Sequence, residues 1–220
     1  MSALAGIIGL FRERAAEFPD SVPSDDPRLL RIIDELKGAG PGRLLDAGCG
    51  KGRFLRALAG SRAEITGSDP VMEFLKDNKD GRPRVCAEAS RQPFRDGAFA
   101  AVICVEVLEH VEDREAALAE FYRLLSPGGR LIIIDKNLLS FYHNCPLPAA
   151  LLKAMAEKRG RWFYPASFPF REKWFTKKGL AGELEKAGFT VSSGYIPFHK
   201  KPWHRLLPFT ELFIYWTAYK

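Results

Sequence analysis

The stretch Leu44-Leu45-Asp46-Ala47-Gly48-Cys49-Gly50-Lys51-Gly52-Arg53-Phe54-Leu55 decides the fold. Its first residues read as a short buried strand (43–47), and Lys51 onward reads as a helix (51–59). Between them lie Gly48, Gly50 and Gly52. Glycines between a strand and a helix N-terminus allow positive φ and let the backbone pass close to a ligand. Two phosphate-binding loops do not fit. The dinucleotide fingerprint G-x-G-x-x-G needs glycine where Arg53 stands. A P-loop needs Gly-Lys-Ser/Thr where the chain has Gly50-Lys51-Gly52. Asp46 would repel a pyrophosphate, but it suits a ligand with a cationic amine.

Outward from the loop, strands and helices alternate. Further strands are predicted at 64–68 (running into Asp69), 84–87, 100–105 and 130–135. Helices are predicted at 71–78 and 113–125, and Ser126-Pro127-Gly128-Gly129 reads as a turn. Continuously apolar strands alternating with helices imply a parallel sheet covered on both faces. Upstream, helices at 2–18 and 28–37 flank a linker, Pro19 to Pro27. Downstream, a helix at 177–187 precedes strands at 189–196 and 210–219. The expected fold is a Rossmann-like, doubly wound α/β sheet of seven strands. At 220 residues one domain is expected. Its parts would be an N-terminal helical flank (1–40), a ligand-binding core (41–135), an insertion (136–175) and a C-terminal helix with two strands (176–220).

Several classes fall away. The longest apolar run, Ala98 to Val105, is far short of the ~20 residues of a membrane span. The apolar start, Met1 to Phe11, lacks the basic region and cleavage site of a signal peptide. Cys49, Cys86, Cys104 and Cys145 have no C-x-x-C spacing, which argues against zinc and leaves a reducing cytoplasm as the expected compartment.

Four motifs in order resemble the class I S-adenosylmethionine-dependent methyltransferases of the small-molecule type. Asp46, Ala47, Gly48, Gly50 and Gly52 match the family's first motif, D/E-x-G-x-G-x-G. Asp69, 17 residues past Gly52 and followed by Pro70, matches the acid that holds the ribose hydroxyls. Glu88-Ala89, five residues before Pro93-Phe94, matches the segment that meets the adenine. Glu106-Val107-Leu108-Glu109-His110-Val111 resembles the segment beneath the methionine moiety, with Glu106 on the cofactor side. The resemblance covers 40–135 strongly and 175–196 moderately. Ala100, where the family often has Asp, is a departure at a structural position. The Cys86-Ala87 context leaves the adenine contact less secure than the ribose contact. What the resemblance implies is an antiparallel seventh strand inserted between two others, S-adenosylmethionine as cofactor, and S-adenosylhomocysteine as product.

The acceptor is bounded by what is missing. After the fourth strand there is no Asn/Asp-Pro-Pro-Tyr/Phe, and no Pro-Cys pair, which argues against nucleic-acid bases. Residues 136–175 are too long for an ordinary connection and hold nine of the chain's 26 aromatic residues. They read as a substrate-side insertion or lid with an aromatic-walled pocket, or as a satellite core, or both. His143, close after the fifth strand, is the candidate catalytic base; its alternative is an exposed loop histidine. His110 reads as structural, and His199 and His204 as solvated. Asp135 and Lys136 either touch substrate or form a structural ion pair. The N-terminal helices either close over the cofactor or pack as a flank.

Three functions compete. The leading one is methylation of a small or lipid-like acceptor, expected at oxygen, with nitrogen or carbon open. The others are an RNA methyltransferase and a non-catalytic S-adenosylmethionine-binding protein. An RNA enzyme needs a basic patch at the site's mouth. Intact Asp46, Asp69 and Glu88 argue against a non-catalytic protein. The net charge of +6 is unevenly placed, because residues 150–205 carry 12 Lys and Arg against 4 Asp and Glu. That surplus, among aromatics, suggests an acceptor with an apolar body and a negative group, or one presented at an anionic surface, with peripheral membrane contact one of the open alternatives.

Overall fold

The computed structural model describes residues 3–60, 64–76, 78–141, 147–165, 167–198, 204 and 206–220. His143, Cys145 and His199 lie outside the described residues. Seven strands form one sheet: β1 (Leu44–Ala47), β2 (Ile65–Asp69), β3 (Arg84–Cys86), β4 (Phe99–Val105), β5 (Leu125–Lys136), β6 (Thr190–Ile196) and β7 (Phe213–Tyr219). Their spatial order is β3-β2-β1-β4-β5-β7-β6. The first five run parallel, and β7 is antiparallel to both β5 and β6. This is the Rossmann-like sheet expected from the strand–helix alternation.

The apolar runs serve two faces, because alternate residues of a strand point to opposite sides. Leu45, Val102, Cys104, Leu131 and Ile133 pack on one face, with α5 (Arg114–Leu124) and α7 (Lys177–Lys186) over them. Leu44, Ile103, Val105, Ile132 and Ile134 face the other way. They are covered by α2 (Pro27–Lys37), α3 (Arg53–Ala57) and α4 (Met72–Lys76). Asp26, Asp113 and Thr176 cap α2, α5 and α7 through side-chain oxygens that accept from backbone N–H groups.

Three expectations change. The Ser126–Gly129 segment is an irregular extension of β5: Phe99 pairs with Leu125 while Ala101 pairs with Arg130, and Gly128, at φ 75°, absorbs the surplus residues. The last strand begins at Phe213, because Pro208–Thr210 forms a 3-10 turn. His204 is buried rather than solvated, its Nδ1 2.9 Å from Thr210 Oγ1.

The chain's first helix, α1 (Ala3–Glu13), does not join the main core. Ile7 packs with Tyr164 and Phe170 in a separate cluster that also includes Phe11 and Phe163. The N-terminal flank and the insertion therefore fold onto each other. Arg14 ties them further: its Nη1 donates to Phe163 O at 3.1 Å, and its guanidinium lies 4.6 Å from the Phe163 ring centre. The insertion's own helix is α6 (Ala149–Lys158).

Candidate functional site

A cavity of about 750 Å³ opens at the C-terminal ends of β1, β2, β4 and β5. That is where the strand order reverses between β1 and β4, the usual ligand position in open α/β sheets. Its floor is the glycine loop. The loop is tied to β2, because Gly48 N and Cys49 N both donate to Ser68 O, at 2.7 and 2.9 Å. Gly48 has φ 80°, and a Cβ there would meet Val107 Cγ2 at 2.2 Å. Gly50, at φ 52°, would meet nothing within 4 Å, leaving space for a ligand beside the backbone.

Asp46, Gly48, Gly50, Asp69, Pro70, Glu88, Ala89 and Glu106 all line this cavity. Ala47 is instead buried in the sheet core. Gly52 caps α3 in a left-handed conformation beneath Arg84. Those two shape the loop from behind.

The carboxylates are poised differently. Asp69 Oδ1 accepts from Val71 N at 2.8 Å and Oδ2 from Gly50 N at 2.9 Å. A carboxylate has about four acceptor directions, so two remain for hydroxyl donors. Burial pushes Asp69 up to about 6, against those two backbone donors. Asp46 Oδ2 is buried with no hydrogen-bond partner, and burial raises this carboxyl to about 7, opposed by Arg53. An orphaned buried acceptor at a cavity wall asks for a donor or a cation from a ligand. Glu106, at φ 56°, has its Oε2 between Arg28 Nη1 at 2.5 Å and Arg53 Nη2 at 2.6 Å. Burial alone would raise this carboxyl, but the two guanidiniums hold it below its usual range. The residues present thus fit a ligand with ribose hydroxyls and a cationic amino acid end, which S-adenosylmethionine has.

Beyond this cradle the cavity turns aromatic. Phe11, Phe18, Phe74 and Phe163 form its wall, with Phe11 and Phe163 ring centres 4.8 Å apart and Phe18 and Phe74 5.2 Å apart. His110 stands on the border. Its Nδ1 is 2.9 Å from Tyr164 Oη, its Nε2 3.3 Å from Glu109 Oε1, and its ring meets Phe11 edge-on at 5.0 Å. Below it, Lys136 Nζ donates to Glu109 Oε1 at 2.8 Å and Glu172 Oε1 at 2.7 Å. Lys136 thus pairs with these two residues rather than with the Asp135 side chain. Burial opposes ionisation of Glu172, yet Lys136 holds it down to about 2. Asp135 is raised well above the ordinary value by burial and by the neighbouring Glu109. His110 packs structurally, as its sequence context suggested, and also borders the cavity. Trp162 is in the wall as well, with Nε1 donating to Glu172 Oε2 at 2.9 Å.

Sequence reasoning missed Arg28, Phe18 and Phe74 as neighbours of the site. Arg28 carried no signal, since it meets Glu106 across 78 positions of chain. Phe74 follows the Asp69-Pro70 pair at the start of α4, a position that could have flagged it.

Comparison with known proteins adds to this geometry. The Methyltransferase domain family matches residues 45–133. An O-methyltransferase of Aspergillus nomiae is 31% identical over 161 residues, covering 68% of this chain and 70% of that protein. A ubiquinone/menaquinone biosynthesis C-methyltransferase of Desulfotalea psychrophila is 33% identical over 140 residues, covering 56% of this chain and 57% of that protein. The match thus spans little more than half of that second relative. A solved structure from Thermotoga maritima, described as an S-adenosylmethionine-dependent methyltransferase and possible histamine N-methyltransferase, superposes with TM-score 0.67 at 20% identity. It covers 96% of this chain and 99% of that one, a likeness of fold. Sheet, glycine cradle and relatives agree, and the chain belongs to the class I S-adenosylmethionine-dependent methyltransferase family.

Proposed function

We propose that the protein methylates a small, largely apolar, ring-bearing acceptor of lipid-like character at a hydroxyl oxygen. The observation supporting this is the continuation of the cavity past the cofactor cradle into the wall of Phe11, Phe18, Phe74 and Phe163. Such a wall suits an apolar ring better than a charged or strongly hydrated acceptor. The relative named for ubiquinone/menaquinone biosynthesis supports a lipid-like ring acceptor, and the one named an O-methyltransferase supports oxygen as the atom.

In this reading Asp69 receives the ribose hydroxyls on its two remaining acceptor directions. Asp46 faces the cationic amine, and Arg53 faces the carboxylate beside it. Glu88 and Ala89 border the adenine, and Glu106 holds Arg53 and Arg28 in place. The bound cofactor supplies an electrophilic methyl on a sulfonium, a group that leaves without acid assistance. The chain's part is to hold the acceptor in line and exclude water, worth up to ~7–11 kcal/mol in ideal cases. It must also take the hydroxyl proton. His110 borders the cavity between Tyr164 Oη and Glu109 Oε1, and Glu109 beside Nε2 stabilises the imidazolium formed when the ring accepts that proton. Among the described residues His110 is the candidate base; His143 lies outside them.

The test offers methyl-labelled cofactor with three acceptor pools: a prenylated catechol or quinol, a short-chain amine, and total RNA. Label on the ring oxygen is expected. Label entering only RNA, or binding without turnover on any pool, would overturn the reading.

A further inference from the structure

Eight of the ten large apolar side chains exposed among the described residues lie in two segments, 138–155 and 206–209. The first supplies Leu138, Leu139 and Leu147, and Leu151 and Met155 on α6. The second supplies Leu206, which is 82% exposed, with Leu207 and Phe209. Backbone hydrogen bonds join these segments. Phe141 N donates to Thr210 O at 2.9 Å, and within the first segment Ala149 N donates to Ser140 O at 2.8 Å. Asn137 Nδ2 donates to Phe209 O at 2.8 Å.

The orientation of α6 is inverted for a helix that borders water. Lys153 is buried: its Nζ donates to Glu157 Oε1 at 2.6 Å and lies 5.8 and 5.9 Å from the ring centres of Trp162 and Trp174. Leu151, Ala154 and Met155 are exposed at i, i+3 and i+4, with Lys158 one turn on. Burying a lysine while exposing a leucine and a methionine is the reverse of what water favours. It suits a helix lying in a lipid interface.

Charge identifies the partner. Of the nine described Lys and Arg between 150 and 205, Arg161 alone lines the cavity. Among the described residues the basic surplus therefore does not line the cavity. Lys158, Arg159 and Arg161 are exposed directly after the apolar face, which is the arrangement that attracts a polybasic segment to anionic headgroups.

We propose that this face of α6 and its neighbouring leucines docks on a bilayer containing anionic lipid. Leu151 and Met155 enter the boundary between headgroups and acyl chains, and Lys158 and Arg159 meet the phosphates. The proposal rests on the lipid-like acceptor reading only for its purpose. Arg161 and Trp162, next in the chain, line the cavity, so an acceptor dissolved in the membrane would enter along that wall.

Vesicle flotation tests it, with one part phosphatidylglycerol to three parts phosphatidylcholine against phosphatidylcholine alone. The full chain is expected to float with the anionic vesicles. Lys158→Ser and Arg159→Ser should each weaken binding roughly fivefold. Leu151→Ser/Met155→Ser should abolish it, and Leu30→Ser, on α2, should leave it unchanged. Absence from anionic vesicles, or equal flotation of the α6 variants, overturns the proposal. So does a dimer in solution that Leu151→Ser/Met155→Ser splits while vesicle binding is absent, since the face would then belong to a second copy. Calorimetry with S-adenosylhomocysteine and turnover of a water-soluble catechol separate the two readings. In the Leu151→Ser/Met155→Ser variant, lost flotation with both intact supports docking. Retained flotation with no acceptor methylated supports docking and sinks the acceptor reading alone.

Discussion

At the scale of single residues, the two acids of the cradle carry the sharpest expectations. Asp69→Ala removes a charged acceptor from two hydroxyls and should weaken S-adenosylhomocysteine binding by about 1–3 kcal/mol, read by calorimetry. Unchanged affinity would remove Asp69 from the ribose contact. Burial raises Asp46 to about 7 and Asp69 to about 6 from an ordinary value of 3.8. Each carboxyl thus binds its proton more tightly folded than unfolded. Their contribution to the stability of the ligand-free protein is full below the unfolded value and is lost as pH rises to about 7, opposite in sign to the contributions of Glu106 and Glu172. A cation against Asp46 and hydroxyls on Asp69 favour the charged forms, so ligand binding at pH 6 should release protons. Titration in two buffers of different ionisation enthalpy measures that release, and uptake instead of release would contradict the cradle assignment. His110→Gln should lower kcat by about 10²–10⁴ while leaving cofactor affinity intact, if the histidine takes the proton. A parallel loss of cofactor binding would make its role structural.

At the scale of elements, the glycine loop and the end of β5 matter most. Gly48 is pinned by its positive φ and by Val107. Gly48→Ala should destabilise the fold by ~1–2 kcal/mol for the left-handed conformation alone, with the collision added, measured by urea unfolding. Adding Val107→Ala should recover the collision part and not the conformational part. Lys136 sits between two carboxylates, so Lys136→Met leaves charge buried without its partner and should cost about 3–5 kcal/mol. The parallel strands and their helices were legible because continuous apolar runs and glycine breaks are local signals. The Asp46-to-Gly52 motif was legible for the same reason. The Glu109–Lys136–Glu172 cluster was not. Its members look like surface charges in sequence, and only the meeting of β5 with two distant segments buries them. The predicted Ser126–Gly129 turn failed for a related reason: Lys220, just past β7, exchanges backbone hydrogen bonds with Gly128 and Gly129, a partner that local composition cannot announce.

At the scale of the whole molecule, the site is closed by parts distant in sequence. Ile7 meets Tyr164 and Phe170, and Arg14 holds Phe163. Ile7→Asn should loosen this cover and speed release of S-adenosylhomocysteine, followed by stopped-flow fluorescence of Trp162. An unchanged off-rate would mean that the cover does not gate the cofactor. The insertion's aromatics divide between a small core and the cavity wall. Tyr164 and Phe170 make a small core, while Trp162 and Phe163 face the cavity. Alternating pattern alone could not divide them, because one aromatic segment serves both surfaces.

The antiparallel strand β7 lies between β5 and β6 and is the partner of both. As the chain folds, β6 has no place in the sheet until residues 213–219 arrive. The long apolar edge of β5 stays open until then, and an open edge is a template for strands of other chains. The slow step in refolding should therefore be the arrival of β7 on that open edge, with losses to aggregation rising with protein concentration during that interval.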